Sequence, residues 1–238
     1  APVTLAGERL LPVPAALEPL LPDGGLRRGS TVTVEGAPGA TTLALALGAA
    51  ASGGGAWVAA VGLPSLGLSA AAELGVALER VVVVTSPPVD AWATVVAAVV
   101  DAVELVWVGL PGRMAAGDAR RLAARARERG TVLVPLAARG ASATAGARWP
   151  HPPDVRLVVT SPTWAGLAGG GAGRLEARRV EVVATGRGAA SRERRVPLWL
   201  PGAGGRVEPA PPGPPFRSLS ARPSDTRSSR QRTRRGGG

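Results

Sequence analysis

The stretch EGAPGATTLALAL, residues 35–47, sets two glycines, Gly36 and Gly39, and two hydroxyls, Thr41 and Thr42, between a β-branched run and an Ala/Leu run. Strand, glycine turn, helix is the order in which many proteins hold phosphate. The glycines let backbone N–H groups turn inward, a lysine reaches the terminal phosphates, and a hydroxyl meets Mg²⁺. Here that chemistry is incomplete. The chain has no Lys, so all 28 of its cationic side chains are Arg. Gly36 and Gly39 are separated by only two residues, fewer than the full motif uses, and one of them, Pro38, has no N–H to offer. The nearest arginines, Arg27 and Arg28, precede the strand and belong at its opposite end, so no rescue from within the chain is expected. One reading is a tight strand-to-helix turn that the sheet needs. The other is a weak anion site made by the helix N-terminus and the Thr41 and Thr42 hydroxyls.

Other reactive groups are sparse. The absence of Cys removes thiolate catalysis, disulfides and Cys-based metal sites, and a single His, His151 in WPHPP, makes no zinc cluster. Asp154 is the only carboxylate near His151, which reads as a loop residue, and Ser161 and Ser191 lack a triad context. No metal and no cofactor is expected. No secretory signal pattern opens the chain, and no apolar run reaches the ~18 residues of a membrane span. The expectation is a soluble, cytoplasmic protein.

The elements that must position the loop follow from periodicity. Thr31 to Val34 alternate β-branched residues, and TTLALALGAAAS is a run of helix formers stopped by the glycines at 53–55. Residues 56–63 form a short apolar strand. A helix is expected from Ser69 to Leu78, capped by Ser69, and then a buried strand from Val81 to Thr85. The unit repeats with Asp90 capping a helix to Ala102 before the strand Leu105–Val108, and again with Asp118 opening a helix that Gly130 stops before the strand Thr131–Leu136. Helices alternating with continuously apolar strands specify a parallel α/β sheet. After Ala137 the pattern changes to three strands without helices, expected as antiparallel additions to the sheet edge. From Glu208 a Pro-rich run leads into Arg, Ser and Gly repeats, a composition expected to be disordered.

The order and wording of these segments, above all EGAPGATTLALAL and AAAELGVALERVVVVTSP, resemble the core domain of RecA across residues 20–200. More narrowly, PGRMAAGDARRLAARARERGTVLV, DVRLVVTSPTW and RRVEVVATGRG…RRVPLWLPG resemble the ImuA-type, RecA-like mutasome accessory proteins of high-GC bacteria. The resemblance implies an α/β, P-loop NTPase-type fold, a mainly parallel sheet flanked by helices with antiparallel strands at the C-terminal side. It also implies a lead segment 1–25, a core 26–207 and a tail 208–238. By the same resemblance Gly39 is the last loop glycine, Ala40 stands where the lysine belongs and Thr41 is the Mg²⁺ hydroxyl. Gly109 ends the strand whose carboxylate should hold the metal, and Gly62 stands where an acid should follow AWVAAV. Phosphoryl transfer depends on such groups for positioning and charge stabilisation, so the expectation is a degenerate ATPase without catalysis. The resemblance further implies binding to an ImuB-like Y-family polymerase homologue and a damage-inducible replicative-type polymerase in SOS mutagenesis and translesion synthesis. The alternative is a working ATP-dependent, DNA-binding RecA-like ATPase with an atypical loop.

Charge supplies one more candidate. The net charge is +11, of which residues 217–238 carry +6, seven Arg against Asp225. Arg120, Arg121, Arg125, Arg127 and Arg129 crowd one helix, as a solvated face or as phosphate contacts. Arg178, Arg179, Arg187, Arg192, Arg194 and Arg195 lie on the last strands and their turn, a candidate cluster for nucleic acid or an acidic partner. Arg227, Arg230, Arg232, Arg234 and Arg235 in the tail are candidates for weak, salt-dependent DNA binding through Arg alone.

Overall fold

The computed structural model describes residues 9–36, 38–112, 114–136, 148–167 and 173–212. Two short strands, β1 (Leu10–Leu11) and β2 (Leu26–Arg27), pair antiparallel beside a nine-stranded sheet. That sheet contains β3 (Val32–Gly36), β4 (Val58–Val61), β5 (Val81–Val84), β6 (Leu105–Gly109) and β7 (Val132–Leu136). It is completed by β8 (Val155–Leu167), β9 (Gly173–Gly186), β10 (Arg194–Trp199) and β11 (Glu208–Pro209), in the order β11-β10-β9-β8-β3-β7-β6-β4-β5. Strands β8, β3, β7, β6, β4 and β5 are mutually parallel, and β9, β10 and β11 continue the sheet antiparallel. The protein is thus an α/β protein with a mostly parallel sheet. One expectation needs correction: β8 is not an antiparallel addition but runs parallel to β3, from Val32↔Val155 to Gly36↔Val159.

Among the described residues, four helices cover the sheet: α1 (Ala40–Gly53), α2 (Leu68–Glu73), α3 (Trp92–Val100) and α4 (Ala116–Arg129). Alternate residues of each central strand serve opposite faces, as the pleat requires. Val58, Ala60, Leu105, Trp107, Val132 and Val134 pack on the side of α1, α2 and a 3-10 turn at Ala15–Leu20, while Ala59, Val61, Val106, Val108 and Leu133 pack under α3 and α4. Because both faces are covered, the strands read as unbroken apolar runs. With almost no Phe or Tyr, the α1 side is filled by Leu and Val around one large ring, Trp107, whose Nε1–H donates to the Ala44 carbonyl at 2.7 Å. That ring leaves no room at Gly48, where a Cβ would lie 2.5 Å from Trp107 Cζ2.

Local departures from the expected elements have local causes. The helix expected to run to Leu78 ends at Glu73, because Gly75 turns the chain at φ +96°, and Leu78–Arg80 form a separate 3-10 turn. Asp90 does not cap α3; Ala91 holds that position without a side-chain hydrogen bond. Leu11, Val13, Leu17, Leu20 and Leu21 are buried in the main core, so the described part of the lead segment is packed against the sheet. At the other end β11 pairs with β10, and Arg179 Nη2 donates to the Pro211 carbonyl at 2.8 Å. Among the described residues, no helix is long and apolar enough to cross a membrane.

Candidate functional site

Gly36 ends β3 and Ala40 begins α1, so the glycine turn stands at the carboxyl end of the parallel strands. Gly39 is the N-cap residue at φ +126°, a conformation that L side chains rarely adopt. The helical ladder starts with the Leu43 N–H donating to the Gly39 carbonyl at 2.8 Å. The N–H groups of Ala40, Thr41 and Thr42 precede that ladder, among the described residues no side chain caps them, and no acidic residue stands in the first turn. The 14 residues of α1 therefore direct the positive end of a helix dipole at an uncapped turn. Ala40 brings no cation, as expected.

A cation arrives from elsewhere. Arg178 of β9 places Nη2 2.9 Å from Thr42 Oγ1, and the same nitrogen lies 3.2 Å from where a Cβ on Gly39 would be. Its Nε–H donates to the Leu200 carbonyl at 2.8 Å, and its guanidinium lies 5.1 Å from the ring centroid of Trp164, its direct cross-strand partner on β8. Only 7 % of Arg178 is exposed. Burial pulls the guanidinium's pKa below its ordinary value, and among the described residues it has no ion-pair partner. The expectation that no arginine reaches the loop is therefore corrected. The sequence carried a signal for it: Arg178 shares the alternation of Val180, Val182 and Ala184, all buried on the α1 face, whereas Arg179 falls in step with Glu181.

The positions of Gly62 and Gly109, expected from the resemblance to carry acids, are closed by backbone. A Cβ on Gly109 would lie well inside the contact radius of the Gly62 carbonyl oxygen, so β4 and β6 approach each other too closely there for any side chain. Trp92 Nε1–H donates to the Gly109 carbonyl at 3.2 Å and covers the strand end. The nearest acid on β3, Glu35, accepts from Arg156 Nη2 at 2.7 Å, with Arg148 at 3.8 Å, and alternation sends it to the face opposite α1. Among the described residues, no group of three His, Cys, Asp or Glu could hold a metal ion.

The basic residues do not form one cluster. Arg178 and Arg179 sit near the Trp199 end of the β9–β10 pair, and Arg194 and Arg195 at the Ala184 and Val183 end, about 17 Å away at strand rise. Several are neutralised. Arg187 pairs with Asp154 at 3.0 Å, Arg195 with Glu193 at 2.7 Å and Glu181 at 3.4 Å, and Arg194 donates to the carbonyls of Arg192 and Ala189. On α4, Arg121 pairs with Asp118 and both Arg125 and Arg129 reach Asp101, which favours the solvated-face reading. Arg227, Arg230, Arg232, Arg234 and Arg235 lie outside the described residues.

The fold and this turn define an α/β protein with a mostly parallel sheet and a strand–glycine turn–helix unit, β3 to α1, at the carboxyl end of its parallel strands. Residues 19–142 match the MT3502 N-terminal domain, and the chain belongs to that family. It is similar to Rv3395c of Mycobacterium tuberculosis, an uncharacterized protein, with 34 % identity over 152 residues that span 63 % of this chain and 71 % of the relative. The domain match runs from the end of the 3-10 turn to just beyond β7, so Arg178 lies outside it.

Proposed function

We propose that this protein is a non-catalytic, RecA-like accessory scaffold in DNA damage tolerance. In this reading it works in the cytoplasm, binds an ImuB-like Y-family partner and a damage-inducible replicative-type polymerase during translesion synthesis, and touches DNA weakly through arginine. The observation that carries the reading is an intact strand–turn–helix frame around a site that lacks the means of phosphoryl transfer. Ala40 has replaced the lysine, and Gly109 stands where not even a Cβ fits. Losing one such electrostatic group typically costs a factor of about 10²–10³ in rate, and here both kinds are gone.

The frame still offers surfaces. Strand β5 is the last strand of the sheet, and Val82 and Val83 on it are 41 % and 38 % exposed. An apolar edge of this kind is a template for a partner's strand. The test is a pair of measurements on the purified, folded chain. We expect no Mg²⁺-dependent ATP turnover above background, in the wild type or in Ala40→Lys, together with recovery of the Y-family-like partner in a pull-down. Turnover abolished by altering Thr41, or failure to recover the partner when both proteins are folded, overturns the reading.

A further inference from the structure

We propose that the amino end of α1 and Arg178 together bind one small oxyanion, a phosphate group by itself rather than a triphosphate chain. Two independent features converge on the same spot. The first turn of α1 presents the N–H groups of Ala40, Thr41 and Thr42 ahead of the helical ladder, uncapped and without a carboxylate. Beside it lies a guanidinium that is 93 % buried by the complement of its 7 % exposure and has no ion-pair partner among the described residues.

Either feature by itself is ordinary; their meeting is not. A buried cation is normally compensated by an acid, and the positive end of a helix repels a cation rather than compensating it. Arg178 spends Nε on Leu200 and one Nη2 donor on Thr42, and neither contact carries negative charge. Its Nη1 donates to no described residue. An oxyanion held between the guanidinium and the helix end satisfies both positive groups at once, by the charge-assisted hydrogen bonds that guanidinium and helix N-termini make to phosphate. Trp164 holds the guanidinium from the other side, so Arg178 is pre-positioned.

Space limits the ligand. Around Gly39 the side chains of Val159 and Arg178 already stand 3.3 and 3.2 Å from the Cβ position, and Pro38 removes one donor from the turn. A triphosphate also needs a metal, and the positions that would hold it are closed by Gly62 and Gly109. Free inorganic phosphate and the terminal phosphate of a nucleotide share the required chemistry. The site needs no catalysis and does not depend on the scaffold reading, so either can fail without the other.

The experiment titrates the full chain with inorganic phosphate at constant ionic strength, following Tm and tryptophan fluorescence, with ATP, with and without Mg²⁺, as the second arm. We expect a saturable rise in Tm of about 3 °C or more and a saturable fluorescence change that disappears in Trp164→Phe. Arg178→Gln should abolish the saturable response, and Arg178→Lys, which keeps the charge, should weaken it at least about tenfold through loss of the planar fork. No saturable response in the wild type overturns the proposal. So does an equal response in Arg178→Gln, since phosphate also stabilises proteins by exclusion from their surface. Should Arg178→Gln fail to fold, Arg178→Lys decides: undiminished affinity there overturns the assignment. ATP binding more than tenfold tighter than phosphate and strengthened by Mg²⁺ overturns the single-phosphate limit.

Discussion

Gly109 shows how one residue closes off a chemistry. Without a side chain it lets β4 and β6 meet at their carboxyl ends, and Trp92 then covers the junction. Gly109→Ala should cost about 1–3 kcal/mol, the range for overpacking a tight interior, and urea unfolding of the purified variant measures it. A loss below 0.5 kcal/mol, about the size of a neutral surface change, would mean that the strand ends can separate and that the position is not sterically closed. Arg178 is the opposite case, a residue whose role depends on what lies across the sheet. That Ala40 and Gly109 bring neither a cation nor a carboxylate was legible in the chain, because the absence of Lys is a matter of composition and the identity of each position is read directly. The guanidinium at Thr42 was not, since 136 residues separate the two side chains and no local pattern links them. Only the alternation of Arg178 with Val180 and Val182 hinted that it turns inward.

At the scale of elements, the link between α3 and α4 rests on Asp101. Its carboxylate accepts from Arg125 Nε at 2.7 Å and from Arg129 Nε at 3.1 Å, fastening the end of one helix to the last turns of the next. The hydrogen bond from Arg125 holds the Asp101 carboxyl below its ordinary range, with partial burial opposing. A depressed folded pKa means that the stabilisation is present above the unfolded value of about 3.9 and is lost as pH falls through the lower folded value. Asp101→Asn should therefore flatten the acid limb of the stability profile below about pH 4 and change little of its slope at neutral pH, as urea unfolding at stepped pH reads out. An unchanged acid limb would remove Asp101 as its source. Elements of this kind were easiest to read where residues run apolar over a strand's length, as in Val132–Leu136. They were hardest where a glycine decided the end, as Gly75 does for α2. Direction was less legible than existence: DVRLVV reads as a strand under any pairing, and only packing beside β3 makes it parallel.

For the whole molecule, the sheet has two unlike borders. One is finished by β11, a two-residue strand of Glu208 and Pro209, short and proline-bearing as protected edges are. The other is β5, four valines in succession with two of them well exposed. Under the scaffold function proposed above, the β5 border is the surface at which partner binding is tested. Val82→Lys should sharply reduce recovery of the Y-family-like partner while shifting stability by no more than about 0.5 kcal/mol, as for other exposed substitutions. Undiminished recovery by a folded Val82→Lys protein would move the interface elsewhere.

The strand order also dictates a timetable. Strand β3 leaves the ribosome well before either of its neighbours, β7 and β8, which come after Thr131, past the four described helices α1–α4 and three strands that belong farther out. At a translation rate of about 5–20 residues per second, the nascent β3 waits on the order of 5–20 seconds for its first partner. Throughout that interval β3 has neither of its sheet neighbours, so yield in a cell should depend on whatever shields its apolar residues before Val132 emerges.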